Sequence, residues 1–448
     1  MMKATIFSLL AIFSLTGCNK FLDAKPDQRL ATIATIKDMQ ALLDDYATLN
    51  YGDPAMGEVY GDNYFLNEDV FNARDEYDRN MYTYAGANIF KPKSNVWNNV
   101  YTQVNVANTI LQAVADNQEQ LNNEQALNLI RAQALFFRSK AFYHALSLWT
   151  MPYNATQAEA LPGIPLRLNA NFSEATTRAN MAAGYRQAID DFQKALSALP
   201  HLPTAATRPS KAATYGMLSR LYLQLRNYER AGAYADSCLQ IKSTLLDYNT
   251  LNATANFPIP PLNVEIVFEG RAETASPLVQ ARALIQPELY QMYAANDLRK
   301  TIFFRASGNN YLFKGNYQGT ATFFNGLTTA EMKLTRAECN IRANRISQGL
   351  TDLNDLLRYR FKTGTYVAAT GLDQAQALAL IKSERRKELI FRSMRWLDIR
   401  RFNEEGDGIV LTRMINGKTY TLLPRSKGYA LAIPEDVIEL SGIAQNGR

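Results

Sequence analysis

The sequence predicts a mostly α protein of paired helices, with a loop-rich side and minor β hairpins. Three observations carry that reading. Apolar residues recur at three- and four-residue spacing over long segments, a stretch at 215–238 opposes large residues with small ones, and apolar residues alternate around an Asn-Gly dipeptide at 416–417. The 448 residues are 47% hydrophobic and 20% charged, a globular composition that excludes extensive disorder. The net charge of +6 is spread among mixed signs without a basic stripe, so no nucleic-acid partner is expected. With two histidines, three cysteines and no CxxC or HExxH spacing, neither a metal site nor a cofactor is expected.

Residues 1–17 hold one charge, Lys3, and an apolar run from Ile6 to Leu15. That run is about half the roughly 20 residues a membrane-spanning helix needs, so it reads as a signal-peptide core. It ends in Leu15-Thr16-Gly17-Cys18, which resembles the bacterial lipobox and implies lipid attachment at Cys18 with cleavage before it. Residues 18–34 are then a lipidated tether, held by two or three acyl chains at about 0.8 kcal/mol per buried CH₂. Residues 35–448 read as a single domain.

Thr35 with Asp38 is a capping-box start, followed by Met39, Leu42, Leu43 and Tyr46 at helical spacing. Residues 51–94 read as loops. A first helix pair lies within about 97–149, its opening face formed by Val100, Val104, Ala107, Ile110, Leu111 and Val114. A second lies within 180–242. There Tyr215, Leu218 and Tyr222 fall where a tetratricopeptide repeat places its large residues, and Ala231, Ala235 and Cys238 where it places small ones. Ser219 stands where that repeat usually has Gly. A third pair lies within 330–360, with Gly349 starting its second helix, and a fourth within 375–402. The last helix is expected to run from Glu384 to Phe402, with Glu388 pairing Arg392 and Asp398 pairing Arg395 or Arg401 along it. Strand-like alternation marks Val264–Phe268, Tyr311–Tyr317 and Ile409–Leu423. Cys238 and Cys339 are expected as buried free thiols, with a disulfide between them as the alternative that an oxidising compartment permits.

Several of these segments together resemble the SusD/RagB family. They are the lipobox followed by CNKFLDAKP, the helix start carrying Trp97, Tyr101, Ala107 and Asn108, LTRAECNIRA, ERRKELIFRSMRWLDIRRF and the closing GYALAIPEDVIEL. The likeness spans residue 18 to about 440 and is most specific at 384–402. It implies four tetratricopeptide-like helix pairs packed against an irregular, ligand-binding side. It also implies a lipoprotein on the cell-surface side of the outer membrane. Such a protein binds a nutrient, usually an oligosaccharide and sometimes a peptide, and delivers it to a SusC-like TonB-dependent barrel. Ser393 and Met394 stand where the family more commonly has a Gly-containing pair.

Sugars are held by aromatic faces and by polar side chains that satisfy hydroxyls. Residues 51–101 contain 11 aromatic residues, and 290–324 contain nine. The candidate ligand residues are therefore Tyr60, Asp62, Asn63, Tyr64, Tyr82, Tyr84, Phe90 and Trp97, with Tyr311 and Tyr317 from the second stretch. The competing reading is that rings at strand spacing are core, and Trp149 and Trp396 are assigned to packing outright. No catalytic residues are assigned. A surface glycoside hydrolase would need two carboxylates roughly 5–9 Å apart, and His144 and His201 lack a matching Ser or Cys motif. The same residues also admit a peptide-binding uptake lipoprotein of this architecture, or a scaffold that binds only protein.

Overall fold

The computed structural model describes residues 33–447; the signal peptide, Cys18 and most of the tether lie outside the described residues. Thr35 closes the capping box of α1 (Ile36–Leu43) with Asp38, and α2 (Tyr46–Leu49) follows. The stretch expected as loops holds three short helices instead: α3 (Met56–Tyr60), α4 (Glu68–Asn72) and α5 (Glu76–Tyr82). Asn67 and Asp75 stand at the N-caps of the last two, and the Asp75 side chain accepts from the Asp78 N–H. That cap chemistry is the local signal that a periodicity search over longer windows passes over.

The Asn95 side chain caps α6 (Val96–Leu121) by accepting from the N–H groups of Trp97 and Asn98. Asn122 then takes a left-handed conformation and Asn123 caps α7 (Glu124–Trp149), so two asparagines turn one long helix into its antiparallel partner. Next come α8 (Met181–Ala195), α9 (Lys211–Gln224) and α10 (Tyr228–Ile241). After the short α11 (Pro287–Gln291) and α12 (Arg299–Ile302) the array resumes with α13 (Thr329–Arg342), α14 (Ile346–Leu357), α15 (Gln374–Glu388) and α16 (Arg395–Glu405). The successive packings are α6 on α7, α7 on α8, α9 on α10, α10 on α13 and α13 on both α14 and α15. The fold is therefore mostly α, built of helix pairs with minor β structure, as the sequence predicts.

Small residues let the helices approach. Ala231, Ala235 and Cys238 are fully buried on α10 against α9. Ser219, in the position usual for Gly, donates from its hydroxyl to the Ala231 carbonyl at 2.8 Å and so bonds the two helices. Gly349 does not start α14, which begins at Ile346. A Cβ there would lie 2.6 Å from Ile341 Cγ1, so its role is close contact with α13. Cys238 and Cys339 are free and buried.

The expected helix from Glu384 to Phe402 is broken. α15 ends at Glu388 and α16 begins at Arg395, with Phe391 (φ 53°) and Ser393 (φ 60°) left-handed between them. The expected intrahelical pairs fare accordingly. Asp398 does pair Arg401, but Glu388 pairs Arg299 and Arg360, and Arg395 pairs Asp62. The break frees the Phe391 ring to stack on Phe323 at 4.9 Å, and sets the Arg392 guanidinium over the rings of Tyr317 and Phe324. Hydrogen bonds to partners scattered through the chain outweigh the continuation of one helix.

The β elements lie on the irregular side. Tyr64–Phe65, Leu284–Ile285, Asn310–Phe313 and Phe304–Ser307 form a four-stranded sheet in that order, so the strand expected to reach Tyr317 ends at Phe313. Ile266–Phe268 pairs with Leu327–Thr328. Leu411–Ile415 and Lys418–Leu422 form a hairpin in register Ile415↔Lys418, and Asn416 and Gly417 both carry the positive φ that its two-residue turn requires. A last helix, α17 (Glu435–Ser441), follows and buries none of its residues.

Candidate functional site

Three of the aromatic residues singled out at 51–101, Tyr64, Tyr82 and Tyr84, converge on a cation inside the protein. Arg413, on the inward face of the hairpin, lies 4.7 Å from the Tyr64 ring centroid, 4.6 Å from that of Tyr82 and 5.8 Å from that of Tyr84. Its guanidinium donates to the carbonyls of Val59, Gly61 and Tyr64. Tyr60, Asn63, Tyr64, Tyr82 and Phe90 are all buried, Tyr60 against Trp396 and Phe90 against Trp149. Tyr84 is half-buried and 5.5 Å from Tyr60.

Asp62 sits in an ion pair with Arg395 at 2.7 Å and with Arg386 at 3.3 Å. Although burial penalises its charge, the Arg395 guanidinium holds its carboxyl well below the usual carboxylate range. Tyr317 is buried as well, donating to Glu265 at 2.9 Å. Tyr311 is half-buried, stacked on Tyr290 with centroids 3.5 Å apart, and belongs to a different surface. The tyrosine-rich stretch is thus the packing nucleus of the irregular side, and none of these buried rings offers a face to solvent.

Trp97 is buried too, at 6% exposure, but it lies at the wall of an open cleft. It stacks on Tyr101 at 4.7 Å and meets Trp149 in an edge-on arrangement, and together Trp97 and Tyr101 wall this cleft of about 520 Å³. The cleft lies between the first half of α6, the loop joining strands Pro162–Pro165 and Arg178–Asn180, and α17. The spacing 97, 101, 104, 105, 108 puts these side chains on one stripe of α6.

That stripe also fixes the loop opposite. Tyr101 donates to the Pro165 carbonyl at 3.0 Å, and the Asn108 amide donates to the carbonyls of Arg167 and Asn169 at 2.9 and 3.1 Å. Asn108 is held in turn by Arg138 of α7, which forms a bidentate pair with Asp191 of α8 at 2.7 and 2.8 Å. Burial pushes the Tyr101 hydroxyl well above its ordinary range, so it remains a donor at any physiological pH. On the far side, the Glu435 and Asp436 carboxylates accept from the backbone N–H groups of Asn88 and Lys93 at 2.8 and 2.7 Å and pin the start of α17. The rim carries Phe172 at 83% exposure and Leu440 at 89%.

Among the described residues Glu174 is the one carboxylate that lines this cleft. Among the described residues no group of three or more His, Cys, Asp or Glu side chains is placed to hold a metal ion. A second open cleft of about 570 Å³ lies between α10, α13 and α14. No aromatic ring lines it, and its charges are mutually matched, Arg336 bridging Asp236 and Asp352. Of the two, only the first combines ring faces, amides and exposed apolar side chains. Of the residues proposed from the sequence Trp97 lines this cleft; Tyr101, Asn105, Phe172 and Leu440 line it as well and were not among them. The four-residue step from Trp97 to Tyr101 was a visible signal; nothing local marks Phe172.

Residues 20–223 match the SusD-like family described as starch-binding, associating with the outer membrane, and residues 309–430 match the SusD family. No curated protein matches the chain. Among solved structures, a SusD superfamily protein from Bacteroides thetaiotaomicron VPI-5482 is similar at 20% identity and a TM-score of 0.74, covering 92% of this chain and 100% of its own. A protein described as a putative sugar binding protein from Bacteroides vulgatus ATCC 8482 is 18% identical with a TM-score of 0.73, over 93% and 99% of the two chains. A SusD-like carbohydrate binding protein from the same organism is 20% identical with a TM-score of 0.69, over 91% and 96%.

Proposed function

The chain belongs to the SusD/RagB family, and from that premise we propose that it is a non-catalytic, lipid-anchored outer-membrane protein. On this reading it captures an oligosaccharide nutrient and delivers it to a SusC-like TonB-dependent barrel. The observation that carries the reading is the cleft over Trp97 and Tyr101, where stacked rings, an Asn amide and solvent-exposed apolar side chains meet at one concave surface. Aromatic faces pack on the C–H faces of sugar rings, and amides satisfy hydroxyls. Two structural relatives described as sugar- or carbohydrate-binding support the same class.

Binding is favoured over hydrolysis because glycoside hydrolysis needs two carboxylates at the scissile bond, and Glu174 stands alone here. Capture followed by transfer needs only a site and a partner. The paired-helix face, with its extended polar surface, is the surface proposed for the barrel. The Cys18 anchor would hold the protein at the membrane. Among the described residues no helix is long and apolar enough to cross it.

The deciding experiment is calorimetric titration of the full chain in detergent with soluble oligosaccharides, beside the Tyr101→Ala variant. Saturable binding that falls at least tenfold in the variant is expected; saturable binding of peptides with no glycan bound would overturn the reading. The anchor is tested separately. Cys18→Ala should move the protein from the membrane to the soluble fraction and abolish incorporation of labelled palmitate.

A further inference from the structure

We infer that the cleft over Trp97 and Tyr101 selects uncharged glycans, and that Phe172 and Leu440 are the specificity-determining jaws that grip them. This rests on the oligosaccharide reading above and narrows it. The first argument is charge. Among the described residues two formally charged side chains line the cleft, Arg167 and Glu174, and both are committed to the loop itself. The Arg167 guanidinium donates to the Glu174 carbonyl at 2.7 Å and to the Asn171 carbonyl. The Glu174 carboxylate accepts from the Asn169 amide at 2.7 Å.

A uronate or sialate carboxylate is recognised by a free guanidinium or ammonium, commonly in a bidentate pair. Here it would find Arg167 already turned to backbone carbonyls, and it would face the like charge of Glu174. Desolvating a carboxylate without a partner is strongly unfavourable. A neutral sugar meets no such barrier, and the Asn105 side chain, which has no hydrogen-bond partner among the described residues, offers it both a donor and an acceptor.

The second argument is the rim. Phe172 sits on the loop and Leu440 on α17, two elements separated in sequence by more than half the chain. Both are almost fully exposed, at 83% and 89%, yet both line the same cleft. Neither packs against the protein core, so neither position is explained by folding. The loop and α17 are each pinned by polar bonds behind these side chains rather than by them. A ligand with an apolar face lying on Tyr101 buries both.

The test is an array of immobilised neutral and uronate- or sialate-bearing glycans, probed with the full chain in detergent, followed by calorimetry on soluble forms of the strongest neutral and acidic members. Neutral glycans are expected to bind at least tenfold more tightly than acidic ones. Phe172→Ala and Leu440→Ala are each expected to weaken neutral binding about tenfold, and since both side chains are exposed the fold should be unaffected. Glu174→Lys is expected to narrow the gap between the two glycan classes. Acidic glycans bound as tightly as neutral ones would overturn the class. Neutral binding unchanged in both jaw variants would overturn the assignment of the jaws. An array that retains no glycan, with peptides bound in calorimetry, would end the oligosaccharide reading itself, a result distinct from either.

Discussion

Where α13 meets α10 and α14, the contacts depend on the absence of side chains: a Cβ at Gly232 of α10 would stand 2.8 Å from the Cys339 Cβ, and one at Gly349 of α14 2.7 Å from the Ala337 carbonyl. Where the 411–422 hairpin meets α3 and α5, the contact depends on rings and a cation, with Arg413 enclosed by Tyr64, Tyr82 and Tyr84. Repeated helices bring flat stripes together, so small residues set their spacing. Short elements joined by turns bury little surface each, and large aromatic side chains make up the deficit. High aromatic content in an irregular region is therefore as much a packing requirement as a sign of ligand contact. The residues that touch solvent at a site are found by asking which rings the core leaves over.

The sharpest way to break this contrast is to shrink a ring on the irregular side. Tyr82→Ala removes a fully buried ring that packs on Tyr64 and Phe71, and leaves the Leu66 N–H without its acceptor. A loss of about 3–5 kcal/mol is expected in urea unfolding. A loss under 1 kcal/mol would mean that the cage around Arg413 is dispensable.

Next in size is a pH effect at the same interface. Burial pushes the Glu58 carboxyl up to about 8, opposed by the Ser393 backbone N–H and reinforced by the nearby charge of Asp62. The folded chain then holds a proton that the unfolded chain releases. The contribution of Glu58 to stability is accordingly complete below about pH 4.5 and is lost as the pH rises to about 8. Glu58→Gln should raise stability by about 2–4 kcal/mol at pH 8 and leave it unchanged near pH 4. Equal gains at both values would show that packing, not ionisation, is responsible.

The repeat side should respond in the opposite sense to side-chain size. Gly349→Ala forces a methyl against Ile341 and the Ala337 carbonyl, and is expected to cost about 1–3 kcal/mol by overpacking. On an ordinary helix surface the same change would stabilise by about 1 kcal/mol. The sign of the effect therefore decides whether close approach sets the α13–α14 contact.

The same contrast decides what could be read without coordinates. The cap at Thr35, the α9–α10 complementarity and the Asn416-Gly417 turn are written in neighbouring residues, and a local reading recovers them. The α15–α16 break is not. Its apolar rows continue through 389–394, and the reason for stopping lies in Arg299, Arg360 and Asp62, all distant in sequence. The site divides in the same way. Trp97 and Tyr101 share a helix stripe, whereas Phe172 and Leu440 reach the cleft only through the long-range bonds that place the loop and α17.

The smallest expected effect lies in that break. Ser393 holds φ 60° between the end of α15 and the start of α16. A left-handed conformation costs a non-glycine residue roughly 1 kcal/mol, and glycine adopts it freely. Ser393→Gly should therefore stabilise the protein despite loosening the unfolded chain, because relief of the strained backbone outweighs the added unfolded-state entropy. The hydroxyl offers little resistance to its own removal, since Ser393 Oγ is buried without a hydrogen-bond partner among the described residues. A gain of about 0.5–1 kcal/mol in urea unfolding is expected. If Ser393→Ala gains as much as Ser393→Gly, the unpaired hydroxyl and not the backbone is the source, and the break is held by its charged partners alone.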